Sequence, residues 1–311
     1  MLIVKPVLSL LSLLLLLTAS AASAQTLTQP LGTAPQPFVP TTPGVPSLSQ
    51  SPPPSLSLRQ VVVNAGAVFA ESNELIRSGL VWRVFEDRGD TSQPNIVARS
   101  SSPSPSFTLS PGNYIVHVAY GFASASKRIS VQAGNLNERL VVSAGALRLK
   151  GAVGESPIAQ NRVSFSVYVP EAQNSEGRLV IANAKPNEMI RLPEGSYHVV
   201  STYGDANAIM RSDLKVESGK VTEATLNHRA ATVTLKLVAS EGGEAFAGTA
   251  FSVLTPGGDV IREAIGAFPS VTLAEGEYVL IARHEGKVYT KDFKVESGLD
   301  RDIEVLVTAN P

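Results

Sequence analysis

One six-residue pattern, Leu-x-x-Gly-x-Tyr, occurs three times in the chain at nearly even spacing. It reads LSPGNY at 109–114, LPEGSY at 192–197 and LAEGEY at 273–278, at intervals of 83 and 81 residues. A period of that length leaves room for one small domain per copy, so an internal repeat governs every other reading.

The copies agree well beyond the hexapeptide. Upstream lies an aromatic-x-Val run: Trp82-Arg83-Val84, Phe165-Ser166-Val167 and Phe251-Ser252-Val253. Downstream come RISVQAG (128–134), DLKVESG (213–219) and DFKVESG (292–298). Each copy opens on another alternating run: VVVNAGAVF, ALRLKGAV or TVTLKLVA. Short Val, Ile, Leu, Thr and Phe runs alternate with Gly, Pro, Asn and Ser clusters, and no long helical period appears. The expected fold is all-β: three tandem Greek-key sandwiches, Ig-like or prealbumin-like, over 58–145, 146–229 and 230–311.

The hexapeptide suits a tyrosine corner. A tyrosine at the start of a late strand turns its hydroxyl back onto the backbone just upstream and pins the bend between two sheets. Leu109, Leu192 and Leu273 would fill the core at the end of the preceding strand. Gly112, Gly195 and Gly276 would supply a turn with φ > 0. Tyr114, Tyr197 and Tyr278 would face inward, and with them Val116, Val199 and Leu280 two residues on. In the closing strands Ile129, Leu214 and Phe293 share a face with Val131, Val216 and Val295. Lys215 and Lys294 fall on the opposite, wet face.

The N-terminal residues read differently. MLIVKPVLSLLSLLLLLTASAASA has a basic Lys5, an apolar run and Ala22-Ser23-Ala24 before Gln25, the order of a secretory signal over 1–24 cleaved after Ala24. The apolar run is short for a membrane span, so no span is expected in the mature chain. Periplasmic or secreted localisation follows. Residues 25–57 are rich in Pro, Ser and Thr, with nine prolines between 25 and 56, and read as a disordered tether. The chain contains no cysteine, which rules out disulfides, thiol chemistry and cysteine-ligated zinc. A formal net charge of −1 gives no electrostatic case for nucleic acid.

Apolar-x-Leu-x-x-Gly-x-Tyr followed by an alternating strand and Val-x-x-Gly resembles carboxypeptidase regulatory-like and transthyretin-like sandwich domains, and the Cna-B-type repeats of bacterial surface proteins. ESPIAQNRVSFSVY (155–168) and EGGEAFAGTAFSVL (241–254) are similar to the opening strand pair of those domains. The resemblance implies spacers, stabilisers or binding scaffolds. Cna-B-type domains often carry a self-formed Lys–Asn bond. Lys150 and Lys236 on opening strands, with Asn137 and Asn227 near closing strands, are the candidates it implies. The acidic residue that the family places after its tyrosine strand is missing, and the first repeat has no lysine in its opening strand. Solvent-facing lysines are therefore expected.

The inventory for chemistry is thin. His117, His198, His228 and His284 share no place in the repeats and form no H-x-x-x-H or H-x-H pair. No G-x-S-x-G elbow is present, and no acid–histidine pairing is suggested. No catalytic residue, metal or cofactor is expected. Arg88-Gly89-Asp90 spells an adhesion tripeptide and suits an ordinary polar turn. Trp82 aligns with Phe165 and Phe251, which argues for a core role over sugar stacking. The expected function is a non-enzymatic exported spacer or interaction scaffold, with an envelope protein or polysaccharide as partner. A polymer-binding module would instead need exposed loop aromatics, for which Tyr120, Phe122, Tyr203 and Tyr289 are the candidates. An enzyme would need Asp87, Asp90 or Asp205 to cluster with a histidine in a pocket.

Overall fold

The computed structural model describes residues 60–89, 95–172 and 174–307, all within one compact unit. The expected signal segment 1–24, the Pro-rich stretch 25–57 and Asp90 of the tripeptide lie outside the described residues.

The fold is all-β, as the alternation predicts. The first module holds β1 (Val61–Phe69), β2 (Leu80–Glu86), β3 (Ile96–Ser100), β4 (Ser106–Leu109), β5 (Gly112–Tyr120), β6 (Ala123–Val131) and β7 (Leu136–Val142). The second holds β8 (Ala144–Val153), a short β9 (Ser156–Pro157), β10 (Val163–Glu171), β11 (Asn174–Ala184), β12 (Ile190–Pro193), β13 (Gly195–Tyr203), β14 (Ile209–Val216) and β15 (Val221–Asn227). The third holds β16 (Ala230–Val238), β17 (Thr249–Leu254), β18 (Val260–Gly266), β19 (Ser270–Ala274), β20 (Gly276–His284), β21 (Lys287–Val295) and β22 (Arg301–Leu306).

Strand order repeats in all three. A β4-β1-β7 sheet faces a β3-β2-β5-β6 sheet. The counterparts are β12-β8-β15 with β11-β10-β13-β14, and β19-β16-β22 with β18-β17-β20-β21. The first and last strands of each module pair in parallel, with Val63 opposite Leu136, Thr222 opposite Leu147 and Leu235 opposite Ile303. In the immunoglobulin arrangement the first two strands share a sheet. Here β1 and β2 lie in facing sheets, so the modules do not follow that order.

The period-two pattern decides which side chains are buried. β1 turns Val61, Val63, Ala65 and Ala67 inward, and β2 turns Leu80, Trp82 and Val84 inward while Val81 stays exposed. Trp82, Phe165 and Phe251 are among the largest fully buried side chains, one at the centre of each core. Removing a side chain of this class from water stabilises by about 1.5–3 kcal/mol. Val116, Val199 and Leu280 are fully buried as well. The edge strands β6, β14 and β21 carry exposed lysines and arginines, which discourages strand addition.

Connections between modules are minimal. Ser143 alone separates β7 from β8, and His228-Arg229 separates β15 from β16. Ala144, the first residue of β8, packs into the first module's core.

Candidate functional site

At each repeat of the hexapeptide the chain passes from one sheet to the facing one, from β4 to β5, β12 to β13 and β19 to β20. The tyrosine hydroxyl bridges the bend. Tyr114 Oη donates to the Ser110 carbonyl at 2.9 Å, Tyr197 Oη to the Pro193 carbonyl at 2.9 Å, and Tyr278 Oη to the Ala274 carbonyl at 2.8 Å. Each acceptor lies four residues upstream. Leu109, Leu192 and Leu273 are buried at the ends of the preceding strands, and the three rings are buried too. Burial pushes the Tyr114 and Tyr197 hydroxyls above their ordinary range, which keeps them protonated as donors. Tyr197→Phe is expected to cost the second module about 1–2 kcal/mol, by leaving a carbonyl without its donor. Urea unfolding monitored by circular dichroism checks this.

Two of the three glycines act differently from the turn expected of them: Gly195 has a positive φ, 155°, but Gly112 and Gly276 do not. The backbone enters β5 and β20 already extended, and the tyrosine ring folds back over the glycine. A methyl group at Gly112 or Gly276 would stand 3.6 or 3.7 Å from ring atoms of Tyr114 or Tyr278. The glycine thus exposes its α-carbon to the ring.

The most elaborate polar geometry lies between modules. Phe122 N, at the tip of the β5–β6 hairpin, donates to the Arg191 carbonyl of the second module at 3.0 Å. The Arg191 guanidinium lies over the Tyr120 ring, 5.2 Å from its centroid. Ala70 N donates to Ser218 Oγ across the same junction at 3.2 Å. At the second junction Arg162 covers the Tyr203 ring at 5.1 Å and donates to Thr232 Oγ1 and Thr272 Oγ1 at 2.7 and 2.8 Å. Asn207 Nδ2 donates to the corner hydroxyl of Tyr278 at 2.9 Å, and Asn207 Oδ1 accepts from Ala274 N at 3.0 Å. The third corner is therefore tied to the second module. The sequence reading missed these residues, although a signal exists: Tyr-Gly follows the corner tyrosine by six residues in the first two repeats, and His-Glu stands there in the third.

The histidines are dispersed, yet three have polar partners, His284 through its Nδ1, 3.4 Å from Thr249 Oγ1. His198 Nδ1 lies 2.8 Å from Asp213 Oδ1, because antiparallel register sets the two residues opposite each other on β13 and β14. That acid–histidine pairing contradicts the sequence expectation. It is a cross-strand surface pair whose acid is largely exposed, and no serine bonds to it among the described residues. Ser201 Oγ meets His228 Nε2 at 2.8 Å, but both residues are buried beside the Tyr203 ring, out of reach of substrate. Burial holds the His228 imidazole below its ordinary value of 6.5. A depressed folded-state value means that its contribution to stability is whole above 6.5 and is lost as pH falls towards the folded value. His117, depressed by burial and by Arg83, acts in the same direction. The thermal midpoint is expected to fall between about pH 7.5 and about pH 5, and to fall less in His228→Gln. An equal fall in both would remove His228 from the account.

The remaining candidates are taken up in ordinary ways. Lys150 pairs with Glu223 at 3.3 Å and is about half exposed, at 47 %. Lys236 pairs with Asp302 and keeps only 20 % exposure, lying flatter on its sheet than a freely solvated lysine. Asn137 accepts from Asn64 at 3.0 Å, and Asn227 is exposed. Asp87 pairs with Arg128 and Asp205 with Arg262, at 3.3 and 2.5 Å. Arg88 and Gly89 are exposed, with Arg88 bound to Glu86 at 2.8 Å. Of the four candidate loop aromatics Phe122 alone is widely exposed, at 57 %, and Phe268 in the β18–β19 loop, which the sequence reading did not single out, is exposed as well, at 59 %. Tyr203 and Tyr289 are buried, one beneath Arg162 and the other in the third core. A cleft of about 460 Å³ is lined by Pro256, Tyr278, Asp292 and Phe293 among others, and one of about 290 Å³ by Ile158, Arg162, Tyr203 and Asp300 among others. Neither is lined by a histidine. No group of three potential metal-binding side chains occurs among the described residues.

Several solved structures resemble the chain, at low identity. The TIE protein of Bacillus anthracis is 16 % identical over 81 % of the chain, with a TM-score of 0.25, and the matched part is 51 % of its length. The chain thus spans about half of that protein. A streptococcal ancillary pilin is 12 % identical over 80 % of this chain and 99 % of its own, with a TM-score of 0.27. BcpA, the major pilin subunit of Bacillus cereus, is 10 % identical over 80 % and 99 %, with a TM-score of 0.24. Superpositions this loose transfer neither arrangement nor role. No curated protein matches the chain in sequence. Residues 232–307, nearly the whole third module, match the Rhizobiales growth-associated tandem repeat domain.

Proposed function

We infer that the chain is an exported, non-enzymatic repeat protein that works as an envelope spacer or protein-interaction scaffold. One observation carries this reading: a hairpin of each of the first two modules is seated on the next module through named contacts, so the spacing of binding surfaces is fixed by the fold. Fixed spacing is what a scaffold supplies. The reading takes 58–145, 146–229 and 230–311 as the domains, of the transthyretin-like or Cna-B-type class. A signal over 1–24 and a tether over 25–57 would deliver and suspend them. The likeness of the third module to a growth-associated repeat domain directs the test to growing cells. Burial of Tyr203 and Tyr289 weighs against the polymer-binding alternative, which needs aromatic faces in water.

The test has two arms. Cell fractionation with N-terminal sequencing should recover a chain starting at Gln25 outside the cytoplasm, and cross-linking in intact cells should join defined module surfaces to an envelope component. Saturable turnover of an ester, peptide or glycoside by the purified mature chain would overturn the reading, as would a cytoplasmic chain retaining residues 1–24.

A further inference from the structure

Both junctions place a glycine at one position. Gly121 directly follows the last residue of β5 and has φ of 62°; Gly204 directly follows the last residue of β13 and has φ of 72°. Each lies against the residue preceding the next module's corner leucine, Arg191 in the second module and Thr272 in the third. There is no space for a side chain. A Cβ on Gly121 would stand 2.5 Å from Arg191 Cβ and 2.7 Å from the Arg191 carbonyl oxygen. A Cβ on Gly204 would stand 2.6 Å from Thr272 Cβ and 2.8 Å from its Oγ1. Contacts below about 3 Å with backbone or with a Cβ cannot be relieved by a rotamer change, so the module must move.

The third module breaks the pattern at this position. β20 ends at His284, and the residue after it is Glu285, with φ of 48°, followed by Gly286 with φ of 76°. The turn has changed with the residue. Gly121-Phe122 has positive φ only at its first position, whereas Glu285-Gly286 has it at both, the signature of a type I′ hairpin. A non-glycine residue in the left-handed region costs about 1 kcal/mol or more. Gly286 sits one position too late to offer the bare α-carbon that a neighbour would need.

The structure assigns Glu285 the role of a stop residue: the first loop position of this hairpin decides whether a module can be followed by another in contact, and Glu285 closes the third module to a further module or a second copy docked as the first two junctions dock. By equivalence of hairpin position, the Cβ of Glu285 would meet an incoming strand residue as a Cβ on Gly121 would meet Arg191. Among the described residues the opposite end carries no such block. Thr108, which precedes corner leucine Leu109, is exposed and stands where Thr272 stands in the third module.

The test transplants the stop. In the chain spanning all three modules, G121E/F122G puts the Glu-Gly turn of the third hairpin into the first. The readout is hydrogen exchange at the amide of position 122, which in the wild type donates to the Arg191 carbonyl of the second module, with Val116 N in the first core as the folding control. The expected result is at least about a tenfold loss of protection at position 122 with Val116 unchanged. Unchanged protection at position 122 in the folded variant overturns the assignment. Should the first module fail to fold, Gly204→Ala and Gly286→Ala carry the test, read at Ala274 N, which donates across the second junction to Asn207. Both glycines have similar positive φ, but no heavy atom lies within 4 Å of a Cβ on Gly286. Faster exchange at Ala274 in Gly204→Ala alone supports the assignment, and equal effects in the two variants overturn it.

Discussion

Trp82→Ala should destabilise the first module by about 3–5 kcal/mol, the cost of deleting a fully enclosed aromatic and leaving a cavity. Trp82 has no exposed surface and lies in a core with Leu80, Val84, Val116 and Val118. Trp82→Phe should cost less than half as much. Phe165 and Phe251 fill the equivalent places in the other modules, so the architecture accepts the smaller ring. The indole Nε1–H is also buried with no hydrogen-bond partner, a burden of about 1–3 kcal/mol that phenylalanine removes. Urea unfolding followed by circular dichroism reports both variants. Equal losses for alanine and phenylalanine would show that ring volume is not what the site uses.

Gly145→Ala should cost about 3 kcal/mol, at the upper end of the penalty for overpacking. Gly145 lies on β8 opposite Leu192, and the turn that closes β14 folds directly over it. A Cβ there would stand 2.2 Å from the Glu217 carbonyl oxygen and 2.8 Å from that of Lys220. Both are backbone atoms, and Ala146 N donates to the Lys220 carbonyl at 2.9 Å, so the turn cannot swing away without losing that bond. The matching places in the other modules hold Val61 and Ala231, opposite Leu109 and Leu273. The demand for glycine is therefore local to the second module. A thermal midpoint within error of wild type would contradict the close approach of turn and strand.

Much of the fold was legible because period-two alternation states which face of a strand is buried. That signal placed Val116, Val199 and Leu280 inside, and Lys215 and Lys294 outside. Alternation does not say which strand lies alongside which, so the parallel pairing of first and last strands could not be read from it. The corner tyrosines were legible from Leu-x-x-Gly-x-Tyr, whereas the backbone angle at Gly112 and Gly276 was not, since glycine suits an extended residue beneath a ring as well as a turn with positive φ. His198 and Asp213 are 15 residues apart in sequence and become neighbours only through β13–β14 register. The junctions were hidden for a related reason. Tyr-Gly looks like any hairpin end until the next module is seen against it.

The central claim is that the three sandwiches are held against one another and do not swing as beads on a string. The Phe122 amide tests it most directly, because its side chain is exposed at a hairpin tip and its hydrogen bond crosses to the Arg191 carbonyl of the next module. Among the described residues, nothing within the first module accepts from that amide. Hydrogen exchange of the intact chain should show the Phe122 amide slowed by at least about tenfold relative to the same amide in Gly121→Ala, whose added Cβ would stand 2.5 Å from Arg191 Cβ and force the two modules apart. Exchange of Phe122 at the free-peptide rate in the wild-type chain would mean that the junction is open in solution, and the account of a fixed array would fail.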